Sequence, residues 1–286
     1  MTAPAPASWC WIDGRVLPTD QATVGVSDHG LTVGDGVFET MKVVDGTPFA
    51  LTRHLRRLHR SAAALELEVP LADDDLRAAC AAVLSAADEG GSPVGRVRLT
   101  LTGGPGPAGS DRGGAPATVL VVTSPPTSWE PVTRVATVPF TRNPTGALAG
   151  VKSTSYAENV LALARARAAG ASEAVFADVH GRLSEGTGSN VFVVRGGALL
   201  TPGLATGCLA GITRELVLEV AGASESDTLT LDDLRSADEA FLTSSTRDVQ
   251  PIGEVDGGAL PTPCPGPVTE AASAALAAVE ARTLDP

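Results

Sequence analysis

Only two of the 21 basic residues are lysines, Lys42 and Lys152; the other 19 are arginine. In a chain this rich in Ala, Gly, Pro and Arg, charge alone is carried by arginine. A guanidinium keeps its proton and cannot attack a carbonyl, whereas an amine can form a Schiff base. A lysine in such a chain is therefore a candidate for covalent chemistry, the plain alternative being a retained surface residue. Lys152 follows Ala149-Gly150-Val151 and precedes Ser153-Thr154-Ser155. Partial burial among such neighbours would free the amine to act as nucleophile or base. Lys42 lies in a strand-like run, where alternation with Val43 places it on the opposite, solvent face. Lys152 is the preferred candidate.

Three other groups could serve the same chemistry. Glu185, in the run E-G-T-G-S-N, could hold a protonated ring nitrogen; a polar connecting loop is the alternative. Gly211-Ile212-Thr213 opens an amphipathic helix, whose unpaired N–H groups suit a phosphate. There Thr213 could equally be an ordinary N-cap. Arg57 lies on an earlier helix, where its fork would suit phosphate. The cluster Arg53-Arg56-Arg57-Arg60 also reads as a solvated basic face. Gly34-Asp35-Gly36 is too short for a dinucleotide fingerprint. An amine, a phosphate cradle and a carboxylate for a ring nitrogen are the parts that pyridoxal phosphate requires.

The elements that must carry these groups are short strands and helices in alternation. Hairpins are expected over Trp9–Leu17 about Asp13-Gly14 and over Val37–Leu51 about Asp45-Gly46. A helix is expected from Thr52, its N-cap, to Leu65, with Leu55, Leu58, Ala62 and Leu65 on one face. A second follows over Asp73–Asp88, then strands over Val94–Thr102 and Ala117–Thr123. The Gly/Pro-rich stretch Gly103–Pro116 between them reads as a flexible loop. PPTSWEP (125–131) is the linker candidate, separating a smaller domain, 1–124, from a larger one, 132–286. In the second part helices are expected over Tyr156–Ala169, Thr213–Ala221 and Val268–Thr283. Strands are expected over Val132–Val138, Glu173–Asp178, Asn190–Val194, Ala198–Thr201 and Glu239–Thr243. The class is mixed α/β.

Composition narrows the functions. A net charge of −12 argues against nucleic-acid and anionic-lipid partners. No apolar run approaches a membrane span, and Met1–Ser8 has neither a basic region nor an apolar core for secretion. The four cysteines form no C-x-x-C pair and the four histidines no H-x-x-x-H, so no metal or disulfide framework is expected. A cytoplasmic protein acting on a small molecule is the expectation.

The wording of four stretches adds to this: VGDGVFET (33–40), AGVKSTSYAEN (149–159), LSEGTGSNVF (183–192) and LAGITRE (209–215). With His54-Leu-Arg-Arg-Leu, Glu173-Ala-x-x-x-Asp, Thr201-Pro and Phe241-Leu-Thr-Ser-Ser-Thr, the chain resembles the class IV aminotransferases, the fold type IV pyridoxal-phosphate enzymes. The likeness runs from about Trp11 to Gly253. It implies two α/β domains of the D-amino-acid aminotransferase type, with pyridoxal 5′-phosphate between them and a homodimer around it. By this resemblance Lys152 is the Schiff-base lysine and proton shuttle, and Glu185 pairs with the pyridine nitrogen. Arg57, Ile212, Thr213 and Ser245 hold the phosphate, Leu209 packs on the ring, and Tyr156 lies near the 3′-oxygen.

Within the family, the T-R-G arginine of the D-specific enzymes is absent, the segment being Thr102-Gly103-Gly104, and Phe38 stands where they have Tyr. Arg98 could take the substrate carboxylate instead, with Arg96 pointing the same way. V33-G-D-G-V-F-E-T and R142-N-P look most like 4-amino-4-deoxychorismate lyases, in which a Thr at the Thr40 position assists proton transfer. The leading expectation is thus a lyase forming 4-aminobenzoate and pyruvate. The alternative is an aminotransferase of branched-chain or other small amino acids with 2-oxoglutarate as acceptor. A non-catalytic carrier of the cofactor is a third reading.

Overall fold

A computed structural model describes residues 8–286; Met1–Ala7, read above for a secretory leader, lie outside the described residues. The chain divides into two compact units. One holds the described residues up to Ser128, with Val151–Ser155 and Leu284–Pro286; the other holds Trp129–Gly150 and Tyr156–Thr283.

The first unit is a sheet covered by two helices. Its strands are β1 (Trp9–Ile12), β2 (Arg15–Pro18), β3 (Gly36–Val44), β4 (Thr47–Pro48), β5 (Arg96–Thr102) and β6 (Thr118–Ser124), in the order β2-β1-β6-β5-β3-β4. Its helices are the single turn α1 (His29–Thr32), α2 (Leu51–Ala64) and α3 (Asp73–Glu89). Strict alternation in β5 and β6 sends Val97, Leu99, Leu101, Val119 and Val121 to one face. There they meet Leu55, Leu58 and Ala62 of α2 and Leu76, Cys80 and Val83 of α3. The opposite face of β3 and β5 carries Phe38, Thr40 and Lys42 beside Thr100, Arg98 and Arg96.

Two expectations change here. Thr52 does not cap α2: Ala50 holds that position, and the Thr52 N–H donates instead to the Asp285 carboxylate at 2.8 Å. Its donor is satisfied from 233 residues away, which no local pattern announces. The Gly103–Pro116 loop has no regular structure, yet it is pinned. Arg112 donates to both Asp35 oxygens at 2.7 and 2.8 Å and to the Leu65 carbonyl at 2.7 Å.

The second unit is a nine-stranded mixed sheet. Its strands are β7 (Thr133–Arg142), β8 (Glu173–Asp178), β9 (Leu183–Gly186), β10 (Asn190–Arg195), β11 (Ala198–Pro202), β12 (Ser224–Ser226), β13 (Glu239–Ser244), β14 (Asp248–Val255) and β15 (Gly258–Ala259). The path runs β12-β11-β10-β13-β14-β7-β8-β9, with β15 on β14. The helices are α4 (Ala157–Ala168), α5 (Ile212–Val220), α6 (Leu231–Arg235) and α7 (Pro267–Arg282). All of β8 is buried, as befits a strand covered on both faces. Ala174 and Phe176 pack with Ala162 and Ala166 of α4, while Val175 enters a second core with Val135, Val191 and Leu242. No sequence pattern marks β9, β12, β14, β15 or α6; most are short or lack clean alternation. Glu185, for which a polar connecting loop was the alternative, lies in β9.

Lys152 was expected in a body spanning 132–286, but residues 151–155 group with the first unit. The reason is backbone pairing. The Phe38 N–H donates to the Lys152 carbonyl at 3.0 Å, the Thr154 N–H donates to the Gly36 carbonyl at 2.8 Å, and Val37 bridges Ser153. Leu99 is fully buried between the sheet and α2/α3. Leu99→Ala should therefore cost about 2–5 kcal/mol, read as a lowered urea midpoint; a loss near zero would place the core elsewhere.

Candidate active site

Pairing of the 151–155 segment with β3 sets where the lysine side chain goes. Lys152 Nζ lies 4.3 Å from the centroid of the Phe38 ring, and the Arg98 guanidinium lies 3.6 Å from the same centroid. Phe38 is buried, while Thr40, Arg98 and Lys152 are half-buried. Thr40 sits opposite Arg98 in the strand register. An amine, a guanidinium and an aromatic wall thus share one face of the first unit. Arg96 is on that face too, directed to Thr127 at 2.8 Å. Lys42 is half-buried rather than solvated, with Nζ 4.8 Å from the Phe49 centroid.

Behind this face lies a buried charge cluster. Arg57 donates from Nε to Glu39 Oε1 at 2.8 Å and from Nη2 to Oε2 at 2.6 Å, a two-pronged pair. His54 Nδ1 lies 2.6 Å from the same Oε2, so a neutral ring carries its proton there to donate. All three residues are buried. Of the four clustered arginines on α2, Arg57 alone is buried; Arg56 and Arg60 are exposed, and Arg53 is half-buried. The solvated-face alternative therefore holds for Arg56 and Arg60 and fails for Arg57. His54, Arg57 and Ser61 fall at helical spacing beside the apolar stripe of α2, and the Lys152 N–H points to Ser61 Oγ at 3.4 Å.

Burial alone would raise the Glu39 pKa, but Arg57, and then His54, outweigh it and hold the carboxyl at about 2. Burial pushes His54 below its usual range, with Arg57 and Lys152 adding to the effect and Glu39 opposing it. Glu39 and His54 escaped the sequence reading as functional residues. Their only signal was membership in the VFET and H-L-R-R-L runs.

In the second unit Glu185 is half-buried at the end of β9 and is held from two sides. The Leu209 N–H donates to Oε2 at 2.9 Å. Arg142 Nε lies 3.1 Å from Oε1, close enough for an ion pair but out of line for a hydrogen bond. Arg142 is fixed in turn by Glu158 at 2.8 Å, Asn159 at 2.9 Å and the Phe176 ring at 3.9 Å. The sequence shows it only as a letter of R-N-P.

Helix α5 begins one residue earlier than expected. Gly211, not Thr213, is its N-cap, and no side chain caps it. Its first N–H groups, those of Ile212 and Thr213 included, lie at the positive end of the helix dipole. A Cβ at Gly211 would meet Asn190 Oδ1 at 2.0 Å, so glycine is needed for the close approach of this turn to β10. Asn190 also holds the Leu209 carbonyl at 2.8 Å. Ser245 occupies the turn between β13 and β14, and Tyr156 the N-cap position of α4; both are half-buried.

Unit by unit, these donors fit pyridoxal phosphate: an amine and a buried guanidinium in one, an uncapped helix N-terminus and a fixed carboxylate in the other. Among the described residues, no group of three or more His, Cys, Asp or Glu is placed to hold a metal.

Known proteins fit this donor set. The amino-transferase class IV family model matches residues 36–255. The chain belongs to the class IV aminotransferase family. A putative branched-chain-amino-acid aminotransferase of Methanocaldococcus jannaschii is 35% identical, over 91% of this chain and 92% of the relative. A D-alanine aminotransferase of Bacillus licheniformis is 30% identical, over 92% and 94%. The T.th. branched-chain amino acid aminotransferase, solved with N-(5′-phosphopyridoxyl)-L-glutamate, is 28% identical and superposes with a TM-score of 0.86 over 99% of this chain and 96% of that one. The chain is thus a pyridoxal-phosphate-dependent aminotransferase.

These relatives overturn the lyase expectation, since they are branched-chain and D-alanine aminotransferases. The structure shows why the wording misled. V33-G-D-G-V-F-E-T builds β3, which pairs with the lysine segment and carries Glu39 to Arg57, tasks that do not depend on the reaction. Gly103 was read as a lost substrate arginine, but a Cβ there would meet Asp35 Oδ2 at 2.4 Å. Its glycine reports packing.

The cluster makes an acid-sensitivity prediction. Glu39 sits below its ordinary value, so the stability it contributes is present above 4.5 and lost as pH falls through about 2. His54, held neutral, adds a loss that starts below 6.5. The urea midpoint should fall accordingly, most steeply across the lower window. Glu39→Gln leaves the Arg57 charge buried alone and should cost about 3–5 kcal/mol at neutral pH, with a shallower fall in acid. Equal falls in both proteins would assign acid sensitivity to other carboxylates.

Proposed function

We propose that this aminotransferase acts on branched-chain or other small amino acids, with 2-oxoglutarate as amino acceptor. The observation that carries this reading is the 35% identity, nearly end to end, to a putative branched-chain enzyme. A branched-chain-amino-acid aminotransferase of Pseudomonas aeruginosa, 32% identical, supports it further. Bound pyridoxal phosphate supplies an aldehyde to take the amino group and a ring to spread the charge left on the substrate carbon.

The chain's own residues do the rest. Lys152 Nζ holds the aldehyde, and after release it carries the proton taken from the substrate α-carbon. Glu185, steadied by Leu209 and Arg142, keeps the ring nitrogen protonated. Arg57, the N–H groups of Ile212 and Thr213, and the Ser245 hydroxyl hold the phosphate. Leu209 packs on the ring and Tyr156 serves the 3′-oxygen. Arg98 takes the substrate carboxylate beside Phe38. Thr40 loses its lyase role and becomes a substrate contact on the same face.

A homodimer belongs to the same proposal. Val26 is 86% and Leu31 68% exposed, with Val24 and Val33 nearby in the chain. Such a run of open apolar side chains is what a second copy would cover. No described helix is long and apolar enough to cross a membrane.

Two measurements test the reading. Borohydride reduction of the holoenzyme should fix a pyridoxyl group on Lys152 and leave Lys42 unmodified, and Lys152→Arg should abolish turnover. An adduct on Lys42 would refute the assignment. L-Leucine or L-glutamate should bleach the holoenzyme's near-visible absorbance, and 2-oxoglutarate should restore it. Bleaching by D-alanine alone would instead select the D-amino-acid activity of the Bacillus licheniformis relative.

A further inference from the structure

A second buried charge pair lies in the larger unit, and none of the roles above uses it. Glu173, at the start of β8, is 2% exposed. Its Oε1 accepts from the Thr187 N–H at 3.0 Å, the Ala174 N–H at 3.3 Å and the Thr187 hydroxyl. Its Oε2 accepts from Ser189 Oγ at 3.2 Å and Arg247 Nη2 at 3.3 Å. One carboxylate therefore holds the turn that follows Glu185 and the turn that contains Ser245.

The Ser245 turn is short. Ser244 pairs with Asp248, leaving Ser245, Thr246 and Arg247 as a three-residue hairpin loop, and Asp248 takes the left-handed conformation at φ 54°. Arg247 is the part of that loop tied into the interior. Its side chain is 5% exposed, donates also to Gln250 Oε1, and lies 3.7 Å from the centroid of the Trp129 ring. Gln250 in turn donates to the Glu130 carbonyl at 2.7 Å. A guanidinium stacked on an aromatic face and fixed at its edges leaves the two residues before it little freedom.

We propose that the Glu173–Arg247 pair is a positioning element that fixes the Ser245 turn and thereby sets the protein's grip on the cofactor phosphate. This rests on the reading that Ser245 contacts that phosphate. A pair that merely stabilised the fold would weaken every ligand alike or none. A positioning pair should weaken only ligands that carry the phosphate.

The test uses the full chain stripped of cofactor and titrated with pyridoxal 5′-phosphate and, separately, with pyridoxal. The ratio of the two affinities isolates the phosphate. Arg247→Met should lower that ratio about tenfold, the loss of one charge-assisted contact, with pyridoxal binding nearly unchanged. Arg247→Lys, which restores the charge, should recover part of it. In a Trp9→Phe/Trp11→Phe background, Trp129 is the single tryptophan, and its emission should shift on Arg247→Met as the ring loses its stacked partner. Should Arg247→Met not fold, the double variant Glu173→Gln/Arg247→Met removes both buried charges, and the same fall is expected. Ser245→Ala is the control. If it lowers the ratio and the folded Arg247 variants do not, the positioning role is overturned while the phosphate reading stands. If Ser245→Ala leaves the ratio unchanged, the phosphate reading of Ser245 falls, and the proposal with it.

Discussion

A carboxylate buried beside a guanidinium and an imidazole is the constraint around which the smaller unit is arranged. Glu39 comes from β3, and His54 and Arg57 from α2. Each is expensive to bury alone, and each is satisfied by the others. The two-pronged geometry fixes helix against strand in rotation as well as distance. The same strand then offers its edge to residues 151–155, and the same helix presents Ser61 to the Lys152 backbone. Where the amine points thus depends on a charge pair that never needs to touch it.

The larger unit solves a related problem with different materials. Glu185 stands on a strand, not on a loop, and the Leu209 N–H and the Arg142 guanidinium are among the groups that steady it. Under the proposed function this carboxylate meets a ring nitrogen, and its neighbours hold it in place for that. Arg142 holds the charge at 3.1 Å while its Nε–H stays out of hydrogen-bond line. The α5 N-terminus follows the same logic, with glycine at the cap and no side chain competing for its N–H groups.

The sequence showed the reacting letters more clearly than their arrangement. Lys152 stands out because nearly every other basic residue is arginine, and the wording of the motif stretches points to the family. Helices α2, α3, α4, α5 and α7 were legible from their periodicity or stop signals. What could not be read were partners distant in the chain: Glu39 for Arg57, Asp285 for the Thr52 N–H, β3 for the lysine segment. Arg57 looks like its exposed neighbours until that partner is known. The reaction was misread because its words belong to cofactor holding, which lyases and aminotransferases share. Gly103, where a D-specific enzyme has arginine, reports packing against Asp35.

The membership of residues 151–155 in the smaller unit has a consequence for how the protein is made. A ribosome that has released Ser128 has not yet supplied the segment that completes the free end of β3. Synthesis must run on past Gly150, through material of the other unit, before that pairing can close. The start of α2 waits longer still, for Asp285. Contacts this far apart in the chain form late and slowly. The unit that begins first is therefore finished last, and its Lys152 amine is set in place only after the larger unit has begun to emerge.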